Sequence, residues 1–183
     1  MHLPKELIEK KNELLLSLRR EMNGAVAGAM RDGGIVDYSL NFGVSVPTIR
    51  SVAKSFAGDD ALAQEVWGSG VRELRLASLF IASPSLLATE KWCSEVDTLE
   101  LAENYVWSLS RSDEALDRVV ERLMDSRALI DRYMVLLSFA RRMPMGDMLI
   151  ARRLCQEAEQ SGEPALQRVA ENLRITMDFY FEK

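Results

Sequence analysis

The sequence predicts an all-α chain built from stacked helix pairs, and three observations predict it. Apolar residues recur at helical spacing through most of the 183 residues. No segment carries the period-2 alternation of a strand. Helix starts, marked by Ser, Thr, Asp and Pro, fall every ~12–17 residues, so that helix pairs recur near the intervals of helical solenoids. The repeats are not similar in sequence, so the pattern by itself leaves a globular helical bundle open beside a stack of pairs. The length predicts one domain, residues 1–183.

The elements can be justified in order. Residues 5–20 make an amphipathic helix, with Leu7, Ile8, Leu14, Leu15 and Leu18 on one side, and Asn23-Gly24 breaks it. Residues 25–30 form a small-residue helix ended by Gly33-Gly34, and residues 35–41 a short helix or turn. The stretch 41–84 organises the rest. Pro47 opens a helix where a first-turn proline loses no hydrogen bond, and Ile49, Val52, Ala53 and Phe56 form its stripe. Gly58 stops it and Asp59 can cap the next, whose apolar side is Ala61, Leu62, Val66 and Trp67. Val71, Leu74, Ala77, Ser78 and Ile81 line a third stripe, stopped by Ser83-Pro84. Ser83 and Pro84 start a helix through Leu86, Leu87 and Trp92. Asp97 or Thr98 can cap one striped by Leu101, Tyr105 and Leu109, and Ser112 opens one striped by Leu116, Val119, Val120 and Leu123. Residues 127–143 are the most apolar helix, Pro144 starts another running to about Ser161, and a last one follows Pro164. Helices this short do not persist alone in water, so each stripe must be buried on a neighbour. Trp67, Leu76, Leu137 and Phe139 are expected in the core.

Composition narrows the class. Apolar residues at 48% and charged residues at 28% suit a globular chain. No apolar run is long enough for a bilayer span, and the first residues, MHLPKELIEKK, lack the apolar core of a signal peptide. Cys93 and Cys155 stand far apart inside helical patterns, which reads most simply as a reduced, cytoplasmic protein. The net charge is −5, against the basic balance expected of a nucleic-acid binder. The acidic excess is concentrated in residues 71–140, with 12 acids against 8 bases. Arginine supplies 17 of the 23 bases, and it is the side chain best suited to bidentate phosphate contacts.

Several chemistries are excluded. His2 is the sole histidine, which removes Ser-His-Asp, Cys-His and two-histidine metal sites. Gly68-Ser69-Gly70 lacks the third glycine and the preceding strand of a dinucleotide loop, and no phosphate loop is present. No metal or cofactor is expected. An enzyme built here works with carboxylates, arginines and aromatics.

The stretch FGVSVPTIR followed by LAQEVWGSGVRELRLAS resembles the DNA alkylation repair family, the AlkD-like helical-repeat DNA glycosylases. The residues that carry the resemblance are Gly43, Val44, Pro47, Ile49, Arg50, Trp67, Arg72, Glu73 and Arg75. It implies an α-α superhelix of HEAT-like repeats with a concave face that binds double-stranded DNA. It also implies excision of purines alkylated at N3 or N7. Such bases are already cationic, so their glycosidic bond needs a carboxylate to stabilise the sugar cation rather than a strong acid. The family frame WxxxxDSWDxCD falls on residues 92–103, with Trp92 and Asp97 matched. The catalytic aspartate position holds Glu103 and the lesion-facing tryptophan position holds Leu99. Two further aromatic positions fall on Ala29 and near Glu171. Glu103 keeps the charge on a longer arm, and a displacement of ~1 Å can cost about 100-fold in rate.

Arg132 matches the family's phosphate-gripping arginine; it reads equally as one half of an intramolecular ion pair. Arg50, Lys54, Arg141 and Arg142 are further candidates for DNA contact, with Arg152 and Arg153 behind them. Trp67, Trp92 and Tyr105 read as core, and Glu73 as the partner of an arginine on its own or a neighbouring helix. Three functions are therefore in view. They are DNA binding with a degraded glycosylase site, an active glycosylase using Glu103, and a scaffold for a protein partner.

Overall fold

A computed structural model of the chain describes residues 4–34, 38–142 and 147–181. Among them are twelve α-helices and no strand. The chain divides into two compact units, Met1–Leu86 and Leu87–Lys183.

The first unit holds α1 (Lys5–Arg20), α2 (Gly24–Asp32), α3 (Val46–Ala53), α4 (Asp60–Trp67) and α5 (Arg72–Ile81), with a 3-10 turn over Lys54–Phe56. α6 (Pro84–Leu87) runs across the division at Leu86. The caps follow the sequence. The Asn23, Ser45 and Asp59 side chains accept from Val26, Thr48 and Leu62 N–H and open α2, α3 and α4. α4 and α5 pack on each other, α3 packs on α5, and α1 lies on α3 and α4. The stripes meet there, so Ile49, Leu62, Leu76 and Ile81 are fully buried and Trp67 nearly so. α1 is pinned by Lys10 Nζ to Asp59 at 2.9 Å and Lys11 Nζ to Glu65 at 2.7 Å.

Residues 38–41 differ from the expected helix or turn; residues 35–37 lie outside the described residues. Leu40 makes an isolated parallel bridge to Val71: its N–H donates to Gly70 O at 3.1 Å, and Arg72 N–H donates to its carbonyl at 3.0 Å. Gly43 explains the first glycine of the stretch. Its φ is +69°, and a Cβ there would press on the backbone of Asn23 and, at 2.6 Å, on Ala27 N. The close approach lets Phe42 O accept from Asn23 N–H at 2.8 Å.

The second unit holds α7 (Glu90–Ser94), α8 (Leu99–Leu109), α9 (Asp113–Leu123), α10 (Leu129–Arg142), α11 (Met148–Gln160) and α12 (Pro164–Phe181). The helix expected from Pro84 through Trp92 is two short ones, α6 and α7, with a break at Ala88-Thr89. Thr98 and Ser112 cap α8 and α9. The expected start at Pro144 lies outside the described residues; α11 begins at Met148, capped by Asp147. α10 is the centre of the unit, packed on α8, α9, α11 and α12, with α11 also paired to α12. Met134, Val135, Leu136, Ser138 and Phe139 are its buried side. Leu137, expected in the core, is half-buried. It shares a face with Tyr133, one turn earlier, whose ring is buried, while Leu137 itself is only partly covered.

Candidate nucleic-acid interface

Glu103 lies on α8 outside the stripe of Leu101, Ala102, Tyr105, Val106 and Leu109 that faces the core, so its carboxylate is exposed. The Tyr133 hydroxyl, from α10, donates to Glu103 Oε1 at 2.7 Å. Tyr133 is 6% exposed, and burial, then its bond to Glu103, pushes the phenol pKa upward. A raised phenol pKa keeps the proton on Tyr133 and makes it a lasting donor. Arg168, from α12, acts in the opposite direction on Tyr133, so a guanidinium stands near this pair. The sequence reading missed Tyr133 and Arg168. The signal for Tyr133 was an aromatic directly beside Arg132; nothing marked Arg168 out from other surface arginines.

The positions expected to hold aromatics are at the surface and lack a π face. Leu99 is 36% exposed at the start of α8, and Ala29 on α2 and Glu171 on α12 are exposed. Tyr105, by contrast, is fully buried, its hydroxyl donating to Leu87 O at 2.6 Å. Trp67 and Trp92 are buried as well, and Arg75 stacks over the Trp67 ring at 4.8 Å.

Arg132 is half-buried at the start of α10. Its Nη2 donates to the Glu157 backbone carbonyl of α11 at 3.4 Å, and it has no carboxylate within ion-pair distance among the described residues. It does not pair with Glu103. Instead it lines a cleft of about 220 Å³ together with Arg127, Arg153, Asp125, Glu157 and the apolar side chains of α9, α10 and α11.

The other candidates are placed variously. Arg142 forms a two-pronged ion pair with Asp117 of α9, Nη2 to Oδ2 at 2.9 Å, so much of its hydrogen-bonding capacity is engaged. Arg141 is exposed. In the first unit, Arg50 stacks over the Phe80 ring at 5.1 Å and Lys54 is exposed on the 3-10 turn. Glu73 is fully buried and structural: it accepts from Phe42 N–H at 3.0 Å, Val44 N–H at 3.2 Å and Arg72 Nη1 at 3.0 Å. Arg72 Nη1 also donates to Val44 O at 3.0 Å. The Arg-Glu pair of α5 therefore clamps the loop that leads into α3.

Among the described residues no group of three or more His, Cys, Asp or Glu could hold a metal ion. Cys93 and Cys155 are free and buried, and burial pushes both thiols upward in pKa. No helix among the described residues is long and apolar enough to cross a membrane.

A family model described as DNA alkylation repair enzyme matches residues 16–169. No curated protein and no solved structure matches the chain.

Proposed function

The chain belongs to the DNA alkylation repair enzyme family, and from that membership we propose that it binds duplex DNA through arginines of its helical-repeat surface while its alkylpurine glycosylase site is degraded. The observation that carries the DNA reading is Arg132. The guanidinium of Arg132 is reached by solvent and is not tied to a carboxylate among the described residues, so its charge is open to an anion. Arg132 has one long bond to a backbone carbonyl and faces a cleft beside two more arginines. That leaves most of its five donors for an incoming anion. The net charge of −5 argues against long-range attraction of DNA, so affinity has to come from local contacts of this kind.

Loss of excision is supported by what surrounds Glu103. Leu99, Ala29 and Glu171 offer no aromatic face to hold a cationic base. The Tyr133 bond also draws charge from the carboxylate that would stabilise a sugar cation. A second reading, residual excision, is favoured by the same bond, since it fixes Glu103 in one orientation.

Arg132→Ala tests the binding reading. Phosphate contacts supply most nonspecific affinity and release counterion. The variant should bind every duplex more weakly by a similar factor, and its slope of log affinity against log salt should flatten by about one unit. Unchanged affinity and slope, with a drop in Tm, would leave Arg132 structural and favour the protein-partner scaffold.

A further inference from the structure

We infer that Arg127 and Arg153 join Arg132 to form a three-arginine site for a phosphate group in the cleft between α9, α10 and α11. The inference rests on the DNA-binding reading only for the source of that phosphate. The site itself stands on the geometry.

Three guanidiniums line one cleft, from three places in the chain: Arg127 on the loop before α10, Arg132 on its first turn and Arg153 on α11. Two carboxylates, Asp125 and Glu157, line it too, so the positive side is in excess. The acids do little to neutralise it. Arg127 makes no hydrogen bond or ion pair among the described residues. Arg153 Nε stands 3.7 Å from Glu157 Oε1, beyond hydrogen-bond length, with the two side chains 60% and 49% exposed. Such a pair is largely screened by water. Asp131, the next acid on α10, is outside the lining and accepts from the Ser126 hydroxyl at 2.6 Å, a bond that leaves its charge in place.

Leu123, Val135, Leu136 and Leu154 complete a lining whose accessible surface is mostly polar. The volume of about 220 Å³ is several times the roughly 30 Å³ share of one water, which leaves room for a phosphate with part of its hydration. Planar guanidiniums match two phosphate oxygens at once, which a lysine cluster would not. A phosphodiester of duplex DNA and free inorganic phosphate present the same oxygens, and the test separates them.

Two measurements are made on the full chain, Arg132→Ala, Arg127→Ala, Arg153→Ala and the Arg127→Ala/Arg153→Ala double variant. Arg127 and Arg153 are exposed, so their truncation should leave the fold intact, checked by helical circular dichroism. The first is duplex affinity against salt. We expect the double variant to bind duplex more weakly and to flatten the salt slope by about one unit at most, because the three arginines share one phosphate. The second is the rise in Tm on adding inorganic phosphate, which reports binding to the folded chain. A rise in the parent protein that is lost in the double variant, with duplex affinity unchanged, would support the site and make free phosphate its source. A weakened duplex without a phosphate-induced rise would support it with the diester as source. If Arg132→Ala weakens duplex binding while neither Arg127→Ala nor Arg153→Ala changes either measurement, the three-arginine site is overturned and the DNA-binding reading stands. If none of the variants changes either measurement, both fall.

Discussion

Glu73→Ala puts the role of the Arg-Glu pair in α5 to a direct test. In the parent chain the carboxylate is fully buried and accepts three bonds, from Phe42 N–H, Val44 N–H and Arg72 Nη1. Removing it leaves two backbone donors without that acceptor and takes the Glu73 carboxylate from a guanidinium that is 3% exposed. Breaking one side of a buried, hydrogen-bonded pair costs about 3–5 kcal/mol. For a chain of 183 residues, at about 2–4 °C per kcal/mol, that is a Tm lower by roughly 6–20 °C. Differential scanning calorimetry reads it. Glu73→Gln keeps one acceptor oxygen and should lose less. An Arg72→Met/Glu73→Leu double variant, which removes both charges together, should recover part of the loss. Loss of less than about 1 kcal/mol in Glu73→Ala, the range of an exposed pair, would refute the clamp and return Glu73 to the list of functional candidates.

Three more predictions follow from the same structure. With methylated duplex DNA, release of 3-methyladenine or 7-methylguanine should stay at background in the parent and in Tyr133→Phe; robust release abolished by Glu103→Gln would reverse the loss-of-site reading. Gly43→Ala should lower stability, because its φ of +69° disfavours a side chain and Ala27 N stands 2.6 Å from the new Cβ; an unchanged urea midpoint would show that the loop gives way freely. Asp59 is held below its ordinary value of 3.8 by the Leu62 N–H and then by Lys10. A depressed carboxyl contributes stability above its unfolded pKa, and that stability is lost as pH falls through the folded pKa. Asp59→Asn should therefore lose stability at neutral pH and show a shallower fall of Tm below pH 3.8, while parallel Tm–pH curves would count against the cap carrying this charge.

The sequence by itself determined which residues are helical and where most helices start. That information is local: an Asp59, Thr98 or Ser112 side chain reaches an N–H three residues on, and an apolar stripe at helical spacing declares one buried side. It also put Trp67, Trp92 and Tyr105 in the core and expected Glu73 to pair with an arginine of its own or a neighbouring helix, which the structure identifies as Arg72. It went astray where the deciding contact was distant. Leu40 bonds to Gly70 and Arg72, about thirty residues on, in an isolated bridge where a helix or turn was expected. Leu137 has the right residue type for the core and is in register with the buried Tyr133, yet it is only half-buried.

The candidate site was the least legible part, because it depends on which side of each helix faces which neighbour. Arg132 and Tyr133 are adjacent in sequence, yet helical geometry turns them roughly 100° apart. One reaches the α11 backbone and the other Glu103 on α8. No spacing rule could tell an arginine in an ion pair, such as Arg142 with Asp117, from one without a carboxylate partner, such as Arg132. Partner choice for a long charged side chain is settled by the packing of helices remote in sequence, and only the tertiary structure contains it.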